Sequence, residues 1–156
     1  MKYIKILFLV AFFACAASLK SNAQEVGLRF GNFYGNNVAI DGVFALSDFS
    51  RIHADVSFGS GGVGIDAIWN PLYRPISTSD FNWYAGFGPS LFIGDPFALG
   101  VAGEIGVEYA FEEVPIVIGA DWRPTFRIVE NTDFFADVFG LNIRWRFGND
   151  GSNATN

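Results

Sequence analysis

The single histidine of the chain lies in His53-Ala54-Asp55, with Ser57 close behind, the one place where residue types suited to nucleophilic catalysis gather around it. A histidine beside a serine can act as the base that activates its hydroxyl. The same stretch has a plainer reading. His53 shares its face with acids that pair with it, so ion pairing is its expected role and no catalytic residue is assigned. A lone histidine without cysteine leaves only carboxylates as further metal ligands, and no metal site is assigned either. Asp41, Asp55 and Asp66 lie on three adjacent segments and are of the type that binds calcium, but neighbouring arginines are their expected partners. Gly59-Ser60-Gly61-Gly62-Val63-Gly64 is a turn between strands rather than a phosphate loop, since no helix follows it. No cofactor is expected.

The elements that position these residues are strands. From Glu25 to Gly148 the chain reads as eight segments in which large apolar residues alternate with small or charged ones. In Ala98–Phe111, Leu99, Val101, Ile105, Val107, Tyr109 and Phe111 point one way, while Gly100, Ala102, Glu104, Gly106 and Glu108 point the other. A period of two is the mark of β-structure, because successive side chains leave opposite faces of the pleat. The segments are Glu25–Asn32, Val38–Leu46, Arg51–Phe58, Val63–Asn70, Phe81–Ile93, Ala98–Phe111, Ile116–Pro124 and Ala136–Phe147. Short turns are expected at Ser47–Ser50, Pro71–Asp80 and Glu112–Val114 at one end of the strands. At the other end the expected loops are Phe33–Asn37, Gly59–Gly62, Gly94–Phe97 and Thr125–Phe135, and the last, as the longest, is the expected point of external contact.

The ends of the chain read differently. Lys2 and Lys5 precede an apolar run from Ile6 to Ala17, and Ser21-Asn22-Ala23 offers small residues to a signal peptidase, so residues 1–23 are expected to be a cleaved signal peptide. Cys15, the only cysteine, falls inside the apolar run, and Phe12 and Phe13 before it fit a lipobox badly. The expected domain is 24–148, and the polar tail 149–156 is expected to be disordered. All three lysines belong to the signal, which leaves the mature chain with arginine alone as its basic residue. Charged residues make up 17% of the chain and the mean hydropathy is +0.29, values unlike those of a water-soluble surface. No apolar run after residue 23 reaches the roughly 20 residues that a spanning helix needs. A hydrophobic exported chain without such a helix has one common solution, a closed barrel of strands. The acidic balance, with a pI near 4.6, argues against nucleic-acid binding.

The two faces suit two different solvents. The apolar face carries no charge, and its aromatics gather at strand ends. Trp69, Phe81, Trp83, Tyr109, Phe111, Trp145 and Phe147 are expected at the rim that holds the termini, and Trp122 near the other, as membrane-interface aromatics. The opposite face holds Arg29, Asp41, Arg51, His53, Asp55, Asp66, Glu104, Glu108, Asp121, Arg123, Arg144 and Arg146, six carboxylates to five guanidinium groups and one imidazole. An eight-stranded barrel is just wide enough for side chains to fill it, so this set is expected to form a lumenal network of salt bridges.

In this alternation the mature chain resembles the small bacterial outer-membrane barrels of the OmpA/OmpX-like kind, a likeness of pattern rather than of one motif. The closing strand sets Leu141, Ile143, Trp145 and Phe147 against Asn142, Arg144 and Arg146, and it is similar to the aromatic β-signal read by the barrel-assembly machinery. In that family the last aromatic usually ends the chain, whereas here nine residues follow Phe147. The resemblance implies an all-β, eight-stranded antiparallel transmembrane up-and-down β-barrel. It also implies a monomer in the outer membrane after export, with outer-membrane lipid and the assembly machinery as its partners. The expected role is structural or one of surface interaction, with a plugged lumen. Two rivals are a soluble exported β-barrel that binds a ligand, disfavoured by the missing lysines and the aromatic rims, and a lipid-modifying barrel enzyme centred on His53. Barrel deacylases of lipid A carry a His-x-Ser pair on a strand, and here Asp55 stands where that serine would be.

Overall fold

The computed structural model describes residues 24–33, 36–59, 61–77, 80–129 and 131–147. The expected signal peptide, 1–23, and the tail, 149–156, lie outside the described residues. Ten strands form, β1 (Gln24–Phe33), β2 (Asn36–Ser47), β3 (Ser50–Gly59), β4 (Gly62–Pro75), β5 (Phe81–Gly94), β6 (Ala98–Ala110), β7 (Ile116–Trp122), β8 (Thr125–Val129), β9 (Asp133–Phe135) and β10 (Phe139–Phe147). No helix forms among the described residues.

The strands close on themselves. β1 through β6 pair in sequence order, each antiparallel to the next, β6 pairs with both β7 and β8, β7 pairs with β10, and β10 returns to β1. Ten strands make eight staves. Along β6 the ladder to β7 (Ile105↔Trp122) resumes in β8 (Val101↔Phe126) with its register unbroken, and the Gly103 amide bridges the gap by donating to the Pro124 carbonyl at 2.8 Å. β7 and β8 are therefore one stave, interrupted where Pro124 has no amide to donate. β9 and β10 make the eighth. The fold is a closed, eight-stranded, antiparallel up-and-down barrel.

Two expected connections prove to be strand. Thr125–Phe135 is not a long loop: β8 and β9 pair across it, from Thr125↔Phe135 to Arg127↔Asp133, and only residues 130–132 separate them. Proline at 124 reads in sequence as a strand end, but a register slip between β9 and β10 lets the hairpin continue past it. Pro71–Asp80 is likewise not all turn, because β4 runs on to Pro75 through an irregularity between Trp69 and Leu72. Pro71 sits at that bulge, where a missing ladder donor does least harm.

Burial is inverted relative to a water-soluble domain. Outward positions hold the large apolar side chains at high exposure, Ile105 at 49%, Leu141 at 61% and Phe139 at 63%, while charged residues such as Arg29 and Asp41 inside are 0% exposed. Glycine makes room for them at close quarters. A Cβ on Gly140 would lie 2.4 Å from the Arg29 guanidinium, and one on Gly106 would lie 2.4 Å from the Tyr84 ring.

Candidate functional site

The interior of the barrel holds the polar chemistry. Because β-strand side chains alternate, every second residue of each stave points inward, and the sequence places charges at those positions on β1, β2, β3, β4, β6, β7 and β10. Toward the end that holds both termini, Arg144 fans over three carboxylates. Its Nε donates to Glu25 Oε2 at 2.8 Å, Nη1 to Asp41 Oδ2 at 3.3 Å and Nη2 to Glu108 Oε2 at 2.5 Å. Arg51 donates to the other oxygen of Glu108 at 2.9 Å and lies over the rings of Tyr84 and Tyr73, 4.3 and 4.5 Å from their centroids. Half-buried Arg146 donates to Glu25 Oε1 at 3.1 Å.

Halfway up, His53 is sandwiched between two carboxylates. Its Nε2 is 2.7 Å from Asp41 Oδ1 and its Nδ1 is 2.9 Å from Glu104 Oε1. Arg123 then gathers the acids above it, donating to Glu104 Oε1 at 2.5 Å, to Asp66 Oδ2 at 3.1 Å and to Asp55 Oδ2. Arg29 grips Asp121 through both Nε and Nη2, the Nε bonds being 3.1 and 2.9 Å. Planar guanidinium groups suit this work, since each reaches several acceptors from one fixed fork. The pairing is required. A buried charge without a partner costs several kcal/mol, of order 3–5 when one member of a buried pair is removed.

All twelve charged residues expected on the inner face point inward, and eleven of them are buried; Arg146 is half-buried. Several partners were not singled out from the sequence. Glu25, at the first residues of β1, completes the Arg144 site. Asn70 donates to Glu104 at 2.8 Å, Asn142 to Asp121 at 3.0 Å and Ser90 to Asp66 at 2.6 Å. Each sits at an inward position by parity alone, the signal that finds them. Tyr73 required knowledge of the bulge at Pro71, which carries β4 beyond its expected end.

The His53–Ser57 pair that the rival enzyme reading needs does not form. On an extended strand, residues four apart are about 13 Å from each other, so His53 and Ser57 cannot meet. Ser57 instead accepts from Asn36 Nδ2 at 3.2 Å. Beyond Asp66 the far end of the lumen opens into a cavity of about 350 Å³, whose walls include Ser90, Phe92, Thr125, Arg127 and Phe135.

On the outer surface, Trp69, Phe81, Phe111, Trp145 and Phe147 are exposed, and Trp83 and Tyr109 are half-buried. Phe81, Tyr109 and Phe111 form a row of rings with 4.8 Å between neighbouring centroids. The Tyr109 hydroxyl donates to Asp80 at 3.3 Å, and Trp69 Nε1 donates to Ser50 Oγ at 2.9 Å, so both polar tips point toward the turns at that end. Trp122, expected near the far rim, sits halfway along its stave because the stave runs on to Val129. Its Nε1 donates to the Ala136 carbonyl at 2.6 Å.

No protein-family model matches the chain, and no curated protein matches it. Among solved structures, the chain is similar to the N-terminal β-barrel domain of Pseudomonas aeruginosa OprF, with a TM-score of 0.57 and 13% sequence identity over 81% of this chain and 98% of that one. A likeness at that identity establishes the fold, the small eight-stranded barrel of the OmpA-like type, and the agreement spans nearly the whole of the other domain.

Proposed function

We propose that this chain is a monomeric integral protein of a bacterial outer membrane, with a lumen plugged by its ion-pair network and a structural or surface-interaction role. The observation that carries the reading is the inverted burial, an uncharged belt of exposed Leu, Ile, Val, Phe and Trp around a charged interior linked by ion pairs. Water does not tolerate so large an apolar surface on a monomer, and lipid requires it. A shallow outer groove among Trp83, Ile105, Val107, Ala120, Trp122 and Phe139 is part of this apolar surface. The rows of aromatics suit the membrane interface, with the end that holds the termini on the periplasmic side.

A plug is the reading that the ion pairs support, since arginines and acids bond to one another across the barrel and an eight-stranded interior is just wide enough for side chains to fill it. An enzymatic role finds no support in the separation of His53 from Ser57. The cavity at the far mouth would face the outside and is the natural place for a surface contact. Fractionation tests the proposal. The mature chain should sediment with outer membranes and resist extraction by carbonate or urea. Recovery in the soluble periplasm would overturn it and favour a soluble ligand-binding barrel.

A further inference from the structure

Three aspartates stand side by side across the inner wall. Asp41 of β2 is in register with Asp55 of β3, and Asp55 with Asp66 of β4. Directly opposed side chains lie about 5 Å apart, and like charges there repel. His53, two residues from Asp55 on the same face, completes a cluster in which His53, Asp41 and Asp55 each offer one ligand atom within 4.8 Å of the others. We propose that Asp41, His53 and Asp55 form a binding site for one divalent transition-metal ion of the Zn²⁺ type inside the barrel.

Four observations converge on it. The first is the orientation of the imidazole. Glu104 holds His53 Nδ1 at 2.9 Å, leaving Nε2 directed at Asp41, 2.7 Å away. A carboxylate on the remote ring nitrogen is the arrangement that fixes a metal-binding histidine in the right tautomer. In the metal-free barrel a proton on Nε2 bridges to Asp41; in the loaded site the ion takes that proton's place.

The second is the division of labour between oxygens. Arg144 takes Asp41 Oδ2 and Arg123 takes Asp55 Oδ2, so the arginines orient both carboxylates by their second oxygens. Asp41 Oδ1 faces the histidine, and Asp55 Oδ1 is buried with no hydrogen-bond partner although its residue is 1% exposed. The third is charge. Buried Glu25, Asp41, Asp55, Asp66, Glu104, Glu108 and Asp121 face Arg29, Arg51, Arg123, Arg144 and, at the end, Arg146, an excess of two negative charges before His53 is counted. A divalent ion beside a neutral imidazole removes that excess entirely, whereas an imidazolium alone removes half.

The fourth is fit. At bond lengths of 2.0–2.2 Å, tetrahedral ligands lie about 3.3 Å from one another. His53 Nε2 and Asp41 Oδ1, 2.7 Å apart, need to open by about 0.6 Å to reach that spacing, and Asp55 offers a ligand atom within 4.8 Å of both. One nitrogen with two carboxylates selects a Zn²⁺-like ion over calcium, which asks for six to eight oxygens.

The test uses the full mature chain, untagged, folded into lipid vesicles with Zn²⁺ present so that closure of the barrel does not bar its entry. After removal of free metal, one Zn²⁺ per chain is expected. Affinity should fall at least tenfold in His53→Gln and in Asp55→Asn, and remain unchanged in Asp48→Asn, an exposed turn residue outside the lumenal network. Since the chain has one histidine, ¹⁵N-histidine labelling reports the site in the wild type without any substitution. Zn²⁺ should shift the Nε2 resonance and Ca²⁺ should not. An unmoved resonance, no stoichiometric Zn²⁺ in the wild type, or equal binding by both site variants would overturn the assignment.

Discussion

Arg144 illustrates how a single residue holds this interior together, because its guanidinium serves acids from three different staves, Glu25 of β1, Asp41 of β2 and Glu108 of β6. Arg144→Ala should destabilise the folded barrel by about 3–5 kcal/mol, less any relief from water that enters the lumen. Arg146→Ala, at a half-buried site with Glu25 as its partner, should cost much less. Urea titrations in lipid vesicles measure both, and equal small losses would show that the interior is wet enough to screen its charges. At this scale the sequence was legible wherever alternation is strict. Arg144 follows Leu141 and Ile143 in step, so its inward direction was plain, as were those of Glu104 and Glu108. Which acid each arginine chooses was not legible, because partners such as Asp41 and Arg144 are 103 residues apart and meet only when the barrel closes. Asp41 and Asp55 were legible as neighbours on adjacent segments, but only the register between β2 and β3 sets them directly opposite each other with His53 beside them.

At the scale of the strand, β6 states the two-solvent design most clearly. Ile105 and Val107 face outward at 49% and 45% exposure, while Glu104 and Glu108 lie buried on the other side. Replacing Ile105 or Val107 with Arg should cost about 2–4 kcal/mol if the site lies near the bilayer midplane. Ala102→Ser on the inner face should cost far less, and matching losses from the two faces would remove the assignment of lipid to one of them. The closing strand β10 makes a second prediction. Trp145 and Phe147 end it on the outer face, so changing both to Ser should lower insertion in cells and leave degraded or periplasmic material. Truncation after Gly148 should leave insertion intact, because the removed tail has no apolar residue larger than Ala. The opposite pair of results would show that the assembly signal lies elsewhere. Strand ends were the least legible feature of the sequence. Proline marked a stop at Pro71 and Pro124, yet both staves absorb it, one through a bulge and the other through a gap that the Gly103 amide bridges.

For the whole molecule, the ion pairs that cross the lumen govern whether it conducts. The closure of eight staves fixes a narrow interior, and the side chains that line it bond across it: Arg51 and Arg144 meet at Glu108, and Arg123 spans from Asp55 and Asp66 to Glu104. A water column would have to displace these pairs, and each charge so freed would need hydration that the narrow space cannot provide in full. Planar-bilayer recordings of the wild type should therefore show very low conductance. Arg144→Ala opens space beside Glu25 and Glu108 at the end that holds the termini, and Glu104→Ala releases Arg123 and His53 halfway up, below the cavity at the far mouth. Each should loosen one of two constrictions in series, so single changes should raise conductance slightly and the double change by more than their sum. A large, stable wild-type channel that neither substitution alters would mean that the charges line an open path, and transport would then replace the structural role.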